Sequence, residues 1–168
     1  CTMMSARLYS PAKVIAVDVS AERLALTKEQ GLADVTLRVG EVDVEQEILR
    51  LTEGRGADRV FEVAGTNETF QTAWKIARPN AIVVVVALYP EAQPIPLHLM
   101  YGKNLTFKTG GVDANACEDI MKLIACGKLD TSCLITHKRP LNEVMEGYRI
   151  FENKLDGVVK WVITPYES

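Results

Sequence analysis

Two features that would mark a membrane protein or a nucleic-acid-binding protein are absent from this 168-residue sequence. No apolar run approaches the roughly 20 residues that span a bilayer, and the longest, residues 81–89, is better explained as a strand buried on both faces. The 19 basic and 22 acidic residues give a net charge of -3, without a basic cluster that could neutralise a phosphate backbone. We therefore expect neither a membrane nor a nucleic acid as partner.

The sequence is also poor in cysteine and histidine. Its four cysteines form no CxxC pair and its two histidines have no partners at ligand spacing, so no metal site is predicted. These residues are Cys1, Cys117, Cys126, Cys133, His98 and His137. Scattered cysteines outside a small secreted scaffold predict reduced thiols and a cytoplasmic protein. We expect the histidines to be structural or surface residues.

A GxGxxG turn is missing as well. The sequence does not begin with an initiator methionine, and its first residues do not have the layout of a signal peptide. The segment "CTMMSARLYSPAK" instead is typical of the inside of a helix that breaks before Pro11. We expect that further residues preceded Cys1 in the parent gene.

What is present is an alternation of strands and helices. "KVIAVDV" predicts a strand, and Ser20 can cap the helix that follows. "ADVTLRV", a helix capped by Asp43 and the strand "ADRVFEVAG" repeat the pattern. A helix that starts at Thr66 or Asn67 and stops at Pro79 precedes the strongest strand, "AIVVVVALYP". The alternation predicts an α/β fold built on a doubly wound parallel sheet.

The pattern loosens after residue 90. The prolines of "EAQPIPLHLMYGKN" predict a long surface loop, and "LTFKTGG" then predicts a last strand of this sheet. "DANACEDIMKLIACGKLD" and "LNEVMEGYRIFENK" predict amphipathic helices, and "GVVKWVITP" predicts a terminal strand. Because no repeat, low-complexity tract or linker separates these elements, we interpret residues 1–168 as one domain.

An acidic residue, Asp18, ends the strand "KVIAVDV". In a dinucleotide-binding fold the acid at the end of the second strand accepts hydrogen bonds from the adenosine ribose, and it repels a 2′-phosphate. From the local sequence alone, Asp18 is equally well explained as the start of an ordinary strand-to-helix turn.

Five segments in order and spacing resemble the coenzyme-binding domain of the zinc-dependent medium-chain alcohol dehydrogenases. They are "KVIAVDVSAERLALTKEQG", "EGRGADRVFEVAG", "ARPNAIVVVVALYP", "NLTFKTGG" and "GYRIFENKLDGVVKWVITP". The resemblance implies a Rossmann-like fold that lacks its first strand and its glycine-rich turn. It also implies that residues 133–168 include the segment that in the family returns to the catalytic domain.

Carried over by position, the resemblance implies a set of residues that bind NAD. Asp18 would hold the adenosine ribose, and Arg23 would cover the adenine. Val63, Ala64 and Gly65 would pass beneath the cofactor, and Gly65 would allow close backbone approach. From the local sequence, a plain strand-ending glycine is the alternative interpretation of Gly65.

The resemblance extends to the next two strand ends and to the last strand. Ala87 and Leu88, with Thr109 and Gly110, would bind the nicotinamide carboxamide through their main chain, although ordinary buried strand ends fit these positions too. Lys160 would lie near the pyrophosphate as a point charge, and an outward-facing lysine on a solvated strand is the alternative. No catalytic residue and no metal ligand are predicted in this chain.

The resemblance implies the NAD-binding portion of an oxidoreductase that transfers a hydride between an alcohol or polyol and the cofactor. Zinc would belong to the missing catalytic domain, so the chain alone is expected to be inactive. Two other functions remain open: a methyltransferase-like or other nucleoside-binding domain, and a non-catalytic dimerisation module.

The predicted order of strands leaves a gap between "KVIAVDV" and "DRVFEV", where the strand before Cys1 would lie. The flanking strands could pair with each other, "GVVKWVITP" could insert, or a second chain could donate a strand. The family also dimerises through the edge near "LTFKTGG". On these two grounds we expect a homodimer.

Overall fold

The computed structural model describes residues 1–111 and 114–166. The helices are α1 Thr2–Arg7, α2 Ala21–Glu29, α3 Val44–Leu51, α4 Asn67–Ile76, α5 Leu97–Met100, α6 Cys117–Ala125 and α7 Val144–Glu152. The strands are β1 Ile15–Asp18, β2 Val35–Arg38, β3 Ala57–Glu62, β4 Ala77–Val85, β5 Thr106–Thr109, β6 Ile135–Pro140 and β7 Lys160–Thr164. Asp113, the first residue of one predicted helix segment, lies outside the described residues.

Three helices begin at the capping residues that the sequence predicts. The Ser20 hydroxyl accepts a hydrogen bond from the Arg23 amide at the start of α2, and the Asp43 carboxylate accepts one from the Gln46 amide at the start of α3. Thr66, one of the two predicted candidates, caps α4 and exchanges side-chain hydrogen bonds with Thr69. Each cap satisfies an amide that has no partner inside its helix.

The strands form three separate sheets among the described residues, with the orders β1-β2, β3-β4-β5 and β6-β7. The pairs β3–β4, β4–β5 and β6–β7 are parallel. The strands that flank the predicted gap, β1 and β3, therefore belong to different sheets. The strand β7, which we considered as a possible insert, pairs with β6 instead.

The central strand β4 starts earlier than predicted and contains Pro79. Its register against β3 shifts between the pairs Ala57–Ala77 and Arg59–Ile82, so that extra β4 residues bulge out. Asn80 has a φ of 61° in this bulge. A bulge tolerates proline because the proline then takes no ladder position that requires an amide hydrogen. Ala81, at the end of the bulge, and Val83, beyond it, are fully buried.

One prediction for the second half of the chain is wrong, and one strand was missed. The segment 91–104 is not one long surface loop, because it contains α5 and a 3-10 turn, Tyr101–Lys103, and Met100 is buried against Phe70 and Trp74. The strand β6 was not predicted, because the charged and polar residues of "ITHKRP" do not resemble a buried strand.

The chain divides into two compact units: the second consists of Val17–Val19 and Leu37–Ala114, and the first consists of the remaining described residues. In the first unit, Ala16, Leu24 and Ala33 form an apolar cluster with Met3 packed against it. The second unit has its own apolar cluster, in which Phe70, Trp74 and Met100 are buried.

A lysine closes the end of α4 inside the second unit. The Lys103 ammonium donates hydrogen bonds to the carbonyl groups of Trp74 at 3.1 Å and Ala77 at 2.9 Å, and also to that of Lys75. A cation at this helix end satisfies carbonyl groups that have no partner within the helix and complements the helix dipole. It thereby fixes the junction between α4 and β4.

Candidate functional site

The candidate site lies at the carboxyl ends of the parallel strands of the second unit. Asp18 ends β1 and is partly exposed, and its main-chain carbonyl accepts a hydrogen bond from the Val39 amide at 3.0 Å. In parallel α/β sheets, ligands bind outside the carboxyl ends of the strands. Asp18 therefore lies at the carboxyl end of its own strand, which is the position that the dinucleotide-binding interpretation predicts for an acidic residue.

The turn Val63, Ala64 and Gly65 follows β3 directly. Val63 is 55% exposed, whereas Glu62 just before it is buried and only 3% exposed. One carboxylate oxygen of Glu62, Oε1, accepts hydrogen bonds from the amides of Ala64 at 2.9 Å and Gly65 at 3.0 Å. The turn is thus folded around the side chain of the last strand residue.

Ala87 and Leu88 follow β4, immediately beside this turn. A Cβ built on Gly65 would lie 2.7 Å from the Leu88 carbonyl oxygen and 3.3 Å from the Ala87 Cβ, and Gly65 has a φ of +80°. Only glycine fits a backbone that is both this close and in the left-handed region. The position therefore requires glycine for a local structural reason.

A groove of about 580 Å³ opens between the ends of β4 and β5. Leu88, Thr109 and Gly110 line it, together with Lys108, which the sequence reasoning did not select. Leu88 is 92% exposed. The structure thus brings together the predicted residues that follow β3, β4 and β5 at one end of one sheet.

The remaining two predicted residues, Arg23 and Lys160, lie in the first unit. Arg23 is exposed in the first turn of α2, and its amide is bound by the Ser20 cap. Lys160 is the exposed first residue of β7, and its carbonyl accepts a hydrogen bond from the Thr136 hydroxyl.

The buried Glu62 carboxylate has an unusual electrostatic environment. Its second oxygen, Oε2, accepts a hydrogen bond from the Tyr89 hydroxyl. Burial raises the pKa of Glu62, but hydrogen bonds from Tyr89, Gly65, Thr69 and Ala64 outweigh burial and hold the pKa below its usual range. Burial and the neighbouring Glu62 together raise the pKa of Tyr89. At neutral pH the pair is therefore an anionic carboxylate and a neutral phenol.

Sequence reasoning did not identify Glu62 or Tyr89. The available signal was an acidic residue at the end of the apolar strand "DRVFEV", where a buried charge needs several donors. The other end of the network, a tyrosine 27 positions along the chain, could only be found from the structure.

Histidine 137 is a structural residue of the first unit. It is 8% exposed, and its ring stacks on Trp161 with 5.1 Å between the ring centroids. Its two nitrogens lie within hydrogen-bond distance of Thr136 and Asp156. His98, by contrast, is exposed on α5.

No group of three or more His, Cys, Asp or Glu side chains that could hold a metal ion occurs among residues 1–111 and 114–166. Over the same residues, none of the helices has the length and apolar character needed to cross a membrane. The four cysteines are free thiols.

A family model described as zinc-binding dehydrogenase matches residues 1–125. The chain belongs to the zinc-binding dehydrogenase family. This membership confirms the resemblance that the sequence segments carry. The matched residues include the turns that follow β1, β3, β4 and β5.

Curated relatives and solved structures agree with the family. The chain is 30% identical to an alcohol dehydrogenase of Cupriavidus necator, with 99% of this chain and 46% of the relative covered. It is 29% identical to the (R,R)-butanediol dehydrogenase of Neisseria gonorrhoeae, over 91% of this chain and 44% of the relative. The zinc-dependent alcohol dehydrogenase 2 of Streptococcus pneumonia superposes with a TM-score of 0.92 at 28% identity, over 99% of this chain and 48% of that chain.

This zinc-binding dehydrogenase chain therefore spans less than half the length of the relatives that it matches. The superposition also confirms the predicted fold class, a Rossmann-like α/β fold with parallel sheets.

Proposed function

We propose that this chain is the NAD-binding portion of an oxidoreductase that acts on an alcohol or polyol. One observation carries the proposal: the turns after three neighbouring parallel strands meet at one sheet end, where Gly65 lies too close to Leu88 for any side chain and a groove opens beside them. Exposed main chain at such an edge suits a flat, extended dinucleotide. The names of the relatives, alcohol dehydrogenase and butanediol dehydrogenase, support the substrate class.

In this proposal each predicted site residue binds or orients one part of the cofactor. The Asp18 carboxylate would accept hydrogen bonds from the ribose hydroxyls, and Arg23 would cover the adenine. Val63, Ala64 and Gly65 would support the dinucleotide from below. Ala87, Leu88, Thr109 and Gly110 would hold the nicotinamide, and Lys160 would neutralise pyrophosphate charge.

The bound nicotinamide would supply the hydride chemistry, and this chain would align it. Zinc and the alcohol would be held by other residues of the parent protein. We expect no alcohol oxidation by the 168 residues alone, since they span less than half of the relatives that carry the dehydrogenase names. The four free thiols are in keeping with a cytoplasmic location.

Calorimetric titration of the full chain tests the cofactor assignment. We expect NAD to bind more tightly than its 2′-phosphorylated form, because the Asp18 carboxylate would repel the phosphate. Asp18→Ser should weaken NAD binding by about 10-fold or more, since a hydrogen bond to a charged group contributes about 1.5–3 kcal/mol, and should narrow the difference between the two cofactors.

The control variant is Asp119→Ser, which makes the same change of charge on the exposed face of α6. It should bind both cofactors as the unaltered chain does. S-adenosylmethionine, titrated in parallel, tests the methyltransferase alternative. Tighter binding of the methyl donor or of the phosphorylated cofactor would contradict the assignment.

We also propose that the chain forms a homodimer. The strand β5 stands at the end of the order β3-β4-β5, and an edge strand presents backbone groups that a second copy can pair with. Light scattering after size-exclusion chromatography should give twice the mass of one chain. A single-chain mass across a wide concentration range would contradict the dimer and leave the non-catalytic dimerisation module without support.

A further inference from the structure

One residue, Glu62, forms hydrogen bonds with two turns of the proposed site: the turn at Ala64 and Gly65, which would support the dinucleotide, and the turn at Ala87 and Leu88, which would hold the nicotinamide. Its Oε1 accepts from the Ala64 and Gly65 amides of the first turn. Its main-chain carbonyl accepts from the Val86 amide at 2.8 Å and the Ala87 amide at 3.3 Å, at the start of the second turn. The side chain and the main chain of one residue thus connect the two segments.

Tyr89 provides a further contact between the second turn and Glu62. It follows Leu88 directly, and its hydroxyl donates to the Oε2 atom of Glu62. Its ring packs edge-on against Phe70, with 6.2 Å between the centroids, next to the apolar cluster of the second unit. The Ala87–Leu88 segment is therefore fixed at both ends, by the Glu62 carbonyl before it and by the Tyr89 hydroxyl after it.

The acceptor that joins the two turns is a buried carboxylate, with Glu62 only 3% exposed. A buried charge requires hydrogen-bond donors, and Glu62 receives them from the Ala64 and Gly65 amides and from the Tyr89 hydroxyl. A charged acceptor binds amide donors about twice as strongly as a neutral one, and it restricts their positions. The arrangement around Glu62 therefore fixes the backbone of the two turns.

We propose that Glu62, together with Tyr89, is a positioning residue for the nicotinamide half of the cofactor. By holding Ala64 and Gly65 against Ala87 and Leu88, the pair presents a main chain that is already in its binding conformation. Preorganisation of this kind increases affinity because less ordering is left for the binding step. This inference rests on the proposed function.

Comparing two ligands separates positioning from simple loss of structure. AMP contains only the half that Asp18 would hold, whereas NAD also reaches the two turns that Glu62 connects. Loss of folding lowers the affinity for both ligands. Loss of positioning lowers the affinity for NAD and leaves the affinity for AMP unchanged, so the ratio of the two dissociation constants is the readout.

Glu62→Ala in the full chain should weaken NAD binding by about 10-fold or more, because two amides and a hydroxyl lose their charged acceptor. Glu62→Gln should restore most of this affinity, since the amide oxygen can still accept from Ala64 and Gly65. Tyr89→Phe keeps the ring contact with Phe70 and removes only the hydroxyl, so we expect a loss of about 3- to 10-fold.

Two matched variants control for the chemical changes. Glu91→Ala removes an exposed carboxylate, and Tyr101→Phe removes the hydroxyl of a tyrosine that is 91% exposed. Both should bind NAD and AMP as the unaltered chain does. Circular dichroism on every variant identifies any that fail to fold.

The outcomes distinguish this inference from the proposed function. If the unaltered chain binds NAD and the folded Glu62→Ala and Tyr89→Phe variants bind it equally well, the positioning role is wrong. The positioning role is also wrong if the variants lose affinity for NAD and for AMP by the same factor. If the unaltered chain binds neither ligand, the proposed function itself fails.

Discussion

Gly65→Ala is expected to lower the free energy of unfolding by about 2–5 kcal/mol and to abolish measurable NAD binding. The left-handed backbone at φ +80° costs an alanine about 1–2 kcal/mol. The new Cβ would also lie 2.7 Å from the Leu88 carbonyl oxygen, and a main-chain atom cannot rotate away. The turns at Gly65 and Leu88, both of which belong to the proposed cofactor site, would have to separate. Urea denaturation and calorimetric titration measure the two effects.

Gly54→Ala provides the matched control. Gly54 has the same φ of +80°, but a Cβ added there would meet no atom within 4 Å. Gly54→Ala should therefore lower the free energy of unfolding only by the cost of the left-handed backbone, about 1–2 kcal/mol, and should leave NAD binding unchanged. If both variants lower the free energy of unfolding by the same amount, the close approach of Gly65 and Leu88 contributes nothing to the cost. The claim that the two turns leave no room for a side chain would then be wrong.

The sequence predicts most strands and helices because their signals are local. A serine, an aspartate or a threonine placed just before a helix acts within three residues of itself, and the caps at Ser20, Asp43 and Thr66 form as expected. The buried strand β4 is equally clear from its run of valines. Neither inference needs knowledge of the tertiary fold.

The errors in the fold arise where partners are distant in sequence. The polar strand β6 exists because β7 pairs with it, and nothing within "ITHKRP" indicates that partner. Pro79 lies in a strand because a bulge removes it from the ladder. Met100 is buried because Phe70 and Trp74 lie across from it.

The candidate site shows the same division. Gly65, Leu88 and Thr109 lie at the carboxyl ends of neighbouring parallel strands, so they meet at one sheet end. The alternation of strands and helices, together with the resemblance, was enough to predict this placement. The network beneath them was not, because the contact between Glu62 and Tyr89 depends on which way each side chain turns from its strand end. The groove residue Lys108 was missed for the same reason.

The second large effect is expected at the opposite end of the same sheet, where Gly56→Ala should lower the free energy of unfolding by about 2–5 kcal/mol. Gly56 has a φ of +89°, and a Cβ there would lie 2.9 Å from both the Arg78 amide nitrogen and the Ile76 carbonyl oxygen. Both atoms belong to the main chain at the junction of α4 and β4. The first pair of the β3–β4 ladder, Ala57 and Ala77, would have to move apart.

The matched control for Gly56 is Gly40→Ala, since Gly40 has a φ of +91° and no atom within 4 Å of an added Cβ. This variant should lower the free energy of unfolding by only about 1–2 kcal/mol. Because Gly56 precedes β3 while the proposed cofactor site follows it, the folded Gly56→Ala protein should bind NAD with unchanged affinity, unlike Gly65→Ala. Urea midpoints and titrations on both variants check this contrast. Equal costs at Gly56 and Gly40 would show that the junction has room for a side chain, and weakened NAD binding by folded Gly56→Ala would show that the two ends of the sheet are not independent.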